Sequence, residues 1–356
     1  MRKKLVGRII AVALSAVMIA ALAGCGSSSS TSSSASKSSS SSKSSSSSAS
    51  TTKKASDVKV ALVLPGSVND KGWNAEAYNG LKEIEQLGCK IAYSESVAAS
   101  DYETTFRGYA DQGYNIIIGH GTEFEDPIKT VAPDYPDVMF MVTSSDFYQE
   151  PNVCSLQNLN NQQGFMAGVV AATASKTHKV AAIGGMEIPS IQSYILGFQQ
   201  GVAYVNNGTE ALTAYTGDFN DATKVKEQAT AFIDQGADIV SQDADEAGLG
   251  LFEAIKGTAD GIYAIGSTSD QYEEAPGKVL TSATNHIGDG MKVAVQEFLQ
   301  APLEAKCYKF GIKEGVIGLA DYHDCANVLT DEQKEYIKTT MEKVSSGEIT
   351  VKSAQD

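Results

Sequence analysis

Asp111-Gln112-Gly113-Tyr114-Asn115-Ile116-Ile117 returns at residue 234 as Asp234-Gln235-Gly236-Ala237-Asp238-Ile239-Val240, an offset of 123 residues. Working outward, Lys59-Val60-Ala61 returns as Lys179-Val180-Ala181, offset 120, and Ser144-Ser145-Asp146 as Thr268-Ser269-Asp270, offset 124. Three matches in one order at one spacing mark a duplication. The period is too long for a solenoid, whose units span roughly 20–50 residues. It fits two similar α/β lobes, and a cleft between domains is a preferred place for a small ligand.

The N-terminus reads as an export signal. Arg2, Lys3, Lys4 and Arg8 precede an apolar stretch at 9–23 that is shorter than the ~20 residues a membrane-spanning helix needs. It ends in Leu22-Ala23-Gly24-Cys25, which resembles a lipobox. The expectation is a signal peptide at 1–24 and a diacylated Cys25. Residues 26–56 are almost all Ser, with Thr, Ala and four Lys, a composition that cannot bury apolar area and so forms a tether. A coil of this length reaches roughly 30 Å.

The body begins near residue 58. Residues 1–57 hold eight of the 28 Lys and Arg but one of the 43 Asp and Glu, which leaves −22 on the remainder. So acidic a body argues against nucleic acid as a partner. Cys89, Cys154, Cys307 and Cys325 lack zinc-type spacing. An exported chain permits disulfides, and a Cys307–Cys325 pair and free buried thiols are both open readings.

Val58 to Leu64 is a continuous apolar run closed by Pro65-Gly66, a buried parallel strand. Trp73, Ala77, Leu81 and Ile84 then share one helical face, with Asn69 and Asp70 at the helix entrance and Gly88 past its end. Further strands are expected at 91–93, 115–118, 138–142, 180–183, 213–215, 238–240 and 261–265, and helices at 102–112, 190–205 and 222–235. Thr330 and Gln333 form a capping-box pattern before a last helix that runs to about Val344. Alternating strands and helices predict parallel sheets. Ligands then lie beyond the carboxyl ends of the strands, in the loops at 65–74, 119–126, 143–147, 184–194, 216–220, 241–248 and 266–272.

Several of these segments resemble one family. Asn69-Asp70-Lys71-Gly72-Trp73-Asn74 with Tyr78-Asn79-Gly80-Leu81, Gln163-Gly164-Phe165-Met166-Ala167-Gly168, and Gly184-Gly185-Met186 through Ile188-Pro189 to Gly197-Phe198 are similar to the basic membrane protein family. So are Tyr215-Thr216-Gly217-Asp218-Phe219-Asn220-Asp221 and Pro276-Gly277-Lys278-Val279-Leu280-Thr281-Ser282. The resemblance covers 58–350. It implies a type I periplasmic-binding-protein fold, with lobe 1 at 58–157 and 284–306 and lobe 2 at 158–283 and 307–356. It also implies a lipid-anchored binding protein that delivers a nucleobase or nucleoside, purine favoured, to an ABC permease. In the family the base lies between aromatics, a role that falls here on Trp73 and Tyr194. Asn69 and Asn74 are candidates for the base edges, with helix capping as the alternative role. Glu123, Phe124, Asp243 and Asp270 complete the expected site.

The chain departs from the family at three places. Thr268 beside Ser269 replaces an acidic residue, and Asn285 replaces a lysine, both associated with ribose in the family. The Gln242-Asp243-Ala244-Asp245 loop is acidic where the family is glycine-rich. A free base, another heterocycle or a sugar therefore stays open, as does a sensor that serves a membrane kinase. No phosphate-loop, dinucleotide or nucleophile-elbow motif is present, and neither His120-x-x-Glu123 nor His323-Asp324-Cys325 builds a catalytic set. The expectation is a monomeric binding protein, not an enzyme, with no cofactor and no metal.

Overall fold

A computed structural model describes residues 52–70 and 72–356. The leader, the Cys25 lipidation site and nearly all of the Ser-rich tether lie outside the described residues. The first sheet collects β1 (Lys59–Val63), β2 (Lys90–Ser94), β3 (Ile116–Gly119), β4 (Met139–Thr143) and β5 (Val153–Asn158). Between them run α1 (Trp73–Gln86), α2 (Tyr102–Asp111) and α3 (Glu125–Val131). The chain then repeats the pattern. After α4 (Asn160–Ala174) come β6 (Lys179–Gly184), α5 (Pro189–Val205), β7 (Glu210–Tyr215), α6 (Ala222–Asp234), β8 (Ile239–Asp243), α7 (Leu249–Ile255), β9 (Tyr263–Thr268) and β10 (Val279–Asn285). The last elements are α8 (Ile287–Gln300), β11 (Cys307–Phe310), β12 (Ile317–Leu319) and α9 (Asp331–Ser346).

The duplication extends to the strand order of the two sheets. Lobe 1 is ordered β11-β5-β4-β3-β1-β2 and lobe 2 β12-β10-β9-β8-β6-β7. Its register repeats as well: Val60 pairs with Ile116 in one sheet and Val180 with Ile239 in the other. The strand order reverses between β1 and β3 and between β6 and β8, and in an open parallel sheet that crevice is where ligands bind. The central strands are apolar throughout because helices cover both faces. Leu62 and Ile118 face the α1 side with Leu81 and Ile84, while Ala61 and Ile117 face Phe106 and Ile128 of α2 and α3.

Each lobe lends a helix to the other. α4 follows β5 of lobe 1 yet packs against α5, and α8 follows β10 of lobe 2 yet packs against α1. Glycines let these helices touch backbone to backbone. A Cβ on Gly80 would lie 2.2 Å from the Cα of Gly288, and one on Gly197 would lie 2.1 Å from the carbonyl oxygen of Asn161.

Three crossings therefore join the lobes, at 158–160, 285–287 and 310–317. The third differs from expectation. Residues 307–310 form β11, paired parallel with β5 in lobe 1, and Phe310 is buried in that core. The passage to lobe 2 thus begins after Phe310, and only β12, antiparallel to β10, lies on the far side. The capping box at Thr330 and Gln333 forms as read. Cys89, Cys154, Cys307 and Cys325 are all free thiols, so Cys307 and Cys325 are not paired.

Candidate ligand-binding site

The loops at the carboxyl ends of both sheets face one another across a cavity of about 360 Å³. That is the scale of small-molecule sites. From lobe 1 it takes the turns after β1 and β3, with Trp73, Asn74 and Glu123. From lobe 2 it takes the turns after β7, β8 and β9, with Phe219, Asp243, Asp245, Ser267 and Thr268.

The turn after β1 is organised by Asp70. Its carboxylate accepts the N–H groups of Gly72 at 2.9 Å, Asn74 at 2.8 Å and Ala75 at 2.9 Å, and the Asn74 amide at 2.7 Å. An anion here satisfies the open donors of the α1 N-terminus. Asn74 also accepts the Gly66 N–H at 3.3 Å, so this wall is braced before any ligand arrives. Asn69 is exposed and stands outside the cavity lining, with its backbone N–H on the Ser67 hydroxyl at 3.2 Å.

Trp73 opens α1 and stacks on His120, with ring centroids 4.1 Å apart and planes 22° apart. His120 is fully buried, and burial drives its pKa down to about 3. The neutral ring has one donor and one acceptor. Nε2 lies 3.1 Å from the Trp73 carbonyl, which can only accept, so Nε2–H donates there and Nδ1 accepts the Thr143 hydroxyl at 2.8 Å. One indole face is thereby fixed and Trp73 is presented to the cavity. The lobe 2 part of the lining includes Phe219, half-buried in the loop after β7.

Two expected aromatics lie elsewhere. Tyr194 is fully buried, and its hydroxyl pairs with Ser241 at 2.6 Å. Because α5 already begins at Pro189, position 194 falls in the second turn and faces the sheet. Phe124 is likewise buried in the lobe 1 core, between Tyr102 and Phe106. Asp270 is exposed, where it accepts from the Tyr272 N–H and lies 2.7 Å from His323, clear of the cavity. The aromatic that lobe 2 contributes to the cavity lining is Phe219, and its place in the loop beyond a strand end is the signal for it.

The carboxylates of the cavity are held differently. Glu123 remains in contact with solvent, while the surrounding walls raise its pKa. Asp245 sits at φ 51, in the left-handed region that glycine adopts at no steric cost. It crosses the cleft to accept the Trp73 N–H at 3.3 Å, and burial together with Asp70 pushes its pKa up to about 7. Gly72 makes the approach possible, since a Cβ there would lie 2.7 Å from Asp245 Oδ1. Asp243 is 8% exposed, accepts the Ser267 hydroxyl at 2.8 Å through Oδ1, and leaves buried Oδ2 without a partner. Burial raises its pKa to about 6. Thr268 at φ 70 is a strained position for a β-branched residue.

Asn285 is buried at the end of β10, away from the cavity lining. It accepts from Asn158 at the end of β5 and donates to Gln163 at 3.3 Å, while Gln163 donates to Ser267 at 3.1 Å. Side-chain hydrogen bonds thus link Asp243 to two of the lobe crossings.

Residues 57–355 match the family described as ABC transporter substrate-binding protein PnrA-like, Bmp. The chain belongs to this family. It is 29% identical to the ABC transporter nucleoside-binding protein BmpA of Lactococcus lactis subsp. cremoris, over 97% of this chain and 99% of that one. To basic membrane protein A of Borreliella burgdorferi it is 29% identical, over 84% and 88%. A solute-binding protein of an ABC transporter system from Aeropyrum pernix superposes with a TM-score of 0.73 at 21% identity, covering 84% and 94%. A transcriptional activator of the comK gene from Bacillus halodurans gives 0.73 at 28%, covering 82% and 99%. The chain is an ABC transporter substrate-binding protein of the Bmp family with a periplasmic-binding-protein fold. That role implies a small-molecule ligand and a permease. Among the described residues no helix is long and apolar enough to cross a membrane.

Proposed function

We propose that this protein is a lipid-anchored, extracytoplasmic, monomeric receptor that binds a nucleoside or nucleobase, purine favoured, between its lobes and presents it to an ABC permease. The observation that carries the reading is the Trp73 indole, stacked on a neutral His120 and facing a cavity whose far wall holds Phe219. A planar heterocycle fits between such rings, and base–aromatic stacking contributes about 1–3 kcal/mol per base. The nucleoside-binding relative supports the ligand class. Hinge motion at the three crossings would open and close the cleft. The path from Asp243 through Ser267 and Gln163 to Asn285 and Asn158 supports a link between occupancy and hinge. The leader and Cys25 support the anchor.

A thermal-stability screen against purine and pyrimidine bases, nucleosides, riboflavin and sugars tests the ligand. A ligand at 100 times its dissociation constant adds about 2.7 kcal/mol. A purine hit supports the reading, and hits with sugars alone overturn it. Trp73→Ala should weaken the binder at least roughly tenfold, as the loss of one stacked base predicts. Cys25→Ala should move the exported protein from the detergent phase to the aqueous phase, and unchanged partitioning would remove the anchor.

A further inference from the structure

Asp243 combines two properties that a resting core does not need. Its side chain is nine-tenths buried while the residue lines the cavity, and its buried Oδ2 has no hydrogen-bond partner. A buried polar atom left open is costly, and such atoms in native proteins call for an explanation. Among the described residues the cavity lining offers no cation to supply one. Glu123 and Asp245 also line the cavity, and no Lys or Arg does so among the described residues.

The acceptor inventory narrows the missing group. An ionised carboxylate accepts only and has about four lone-pair sites. Ser267 uses one on Oδ1, which leaves Oδ1 one site and Oδ2 both. Two parallel N–H donors from one planar group match a carboxylate in bidentate fashion. Anionic groups would meet three carboxylates.

We propose that Asp243 is the specificity-determining residue of the cleft, and that it selects a heterocycle whose edge places a ring N–H beside an exocyclic amine. Guanine is the purine with that guanidine-type edge. The inference rests on the nucleoside reading above and names the substrate class within it. Nucleotides are excluded, because their phosphates would face Glu123 and Asp245 as well as Asp243.

Guanosine and inosine separate the possibilities, since inosine keeps the ring N–H and lacks the amine. Calorimetric titration at pH 8, above the values to which burial raises Asp243 and Asp245, should give guanosine at least tenfold tighter than inosine and no binding of guanosine monophosphate. In the isosteric Asp243→Asn variant the guanosine preference should fall to threefold or less, with inosine little changed. Equal affinity for the two nucleosides in the parent overturns the assignment and leaves the nucleoside reading intact. So does a preference that survives in Asp243→Asn. Binding of neither nucleoside, with a response to sugars or riboflavin or to nothing, overturns the nucleoside reading and this inference with it. Should Asp243→Asn fail to fold, the parent's guanosine-to-inosine ratio decides alone.

Discussion

His120 and Asp243 occupy the same place in the two lobes. Each lies at the carboxyl end of the strand beside the sheet's reversal, each is buried and titratable, and the duplication aligns them at an offset of 123. Each is followed by a single 3-10 turn, Thr122–Phe124 in one lobe and Asp245–Gly248 in the other. What they do differs. His120 has both ring nitrogens engaged and a tryptophan stacked on it. Asp243 has one oxygen engaged and one open. The first is finished by the fold, whereas the second is left for something else to finish. Duplication supplied two equivalent positions, and divergence made one a support and left the other with an unpartnered oxygen.

The comparison breaks most visibly through stability. His120→Ala removes a buried ring, leaves Thr143 and the Trp73 carbonyl without partners, and should cost about 3 kcal/mol in urea unfolding. Asp243→Asn should cost nothing at neutral pH. Its carboxyl pKa is raised from 3.8 to about 6, so between those values the folded state holds the extra proton and stability falls as pH rises. The penalty is absent below pH 3.8 and complete above about 6. Relative to the parent, the variant should therefore gain about 2 kcal/mol between pH 4 and pH 7. A pH-independent difference would show that Asp243 already has a partner in solution.

Much of this contrast was legible in the residues, and the part that was not has physical causes. The lobes followed from the repeated strand entries, and Trp73, Asn74, Glu123 and Asp243 do line the cleft. α4 escaped notice because it is apolar on nearly every face, from Phe165 through Ala174, so no stripe of period 3.6 emerges. A strand that joins the other lobe's sheet looks like any other strand, so a third crossing expected after residue 306 puts Cys307–Phe310 on the wrong side. Tyr194 and Phe124 show that an aromatic near a helix start carries no label for core or cleft. Helix phase decides, and it depends on where the helix begins. Nothing in the residue types distinguishes a carboxylate with a free oxygen from one without.

One strand further on, the lobes match again. Ser144 follows β4 at φ 56 and Thr268 ends β9 at φ 70, and both line the cavity. Both backbones are held in the left-handed region, but the β-branched side chain bears more of the strain. Thr268→Gly should raise stability by about 1 kcal/mol and Ser144→Gly by less, read as thermal midpoints. Equal gains would mean that the side chain is irrelevant and the backbone alone sets the cost.

The smallest effect separates Glu123 from its counterpart Glu246. The two are aligned by the same offset, and both are exposed. Only Glu123 lines the cavity, and the walls around it raise its pKa. Gly121 gives it room, since a Cβ at that position would lie 2.2 Å from the Glu123 carboxylate. Glu123→Gln should therefore alter affinity for the ligand and flatten its pH dependence. Glu246→Gln should change affinity by less than roughly twofold, as for a surface substitution away from the site. If both variants behave alike, the field of the acidic cleft acts at long range, and adding salt should then erase the effect of each. If only Glu123→Gln responds and salt leaves it unmoved, the carboxylate touches the ligand.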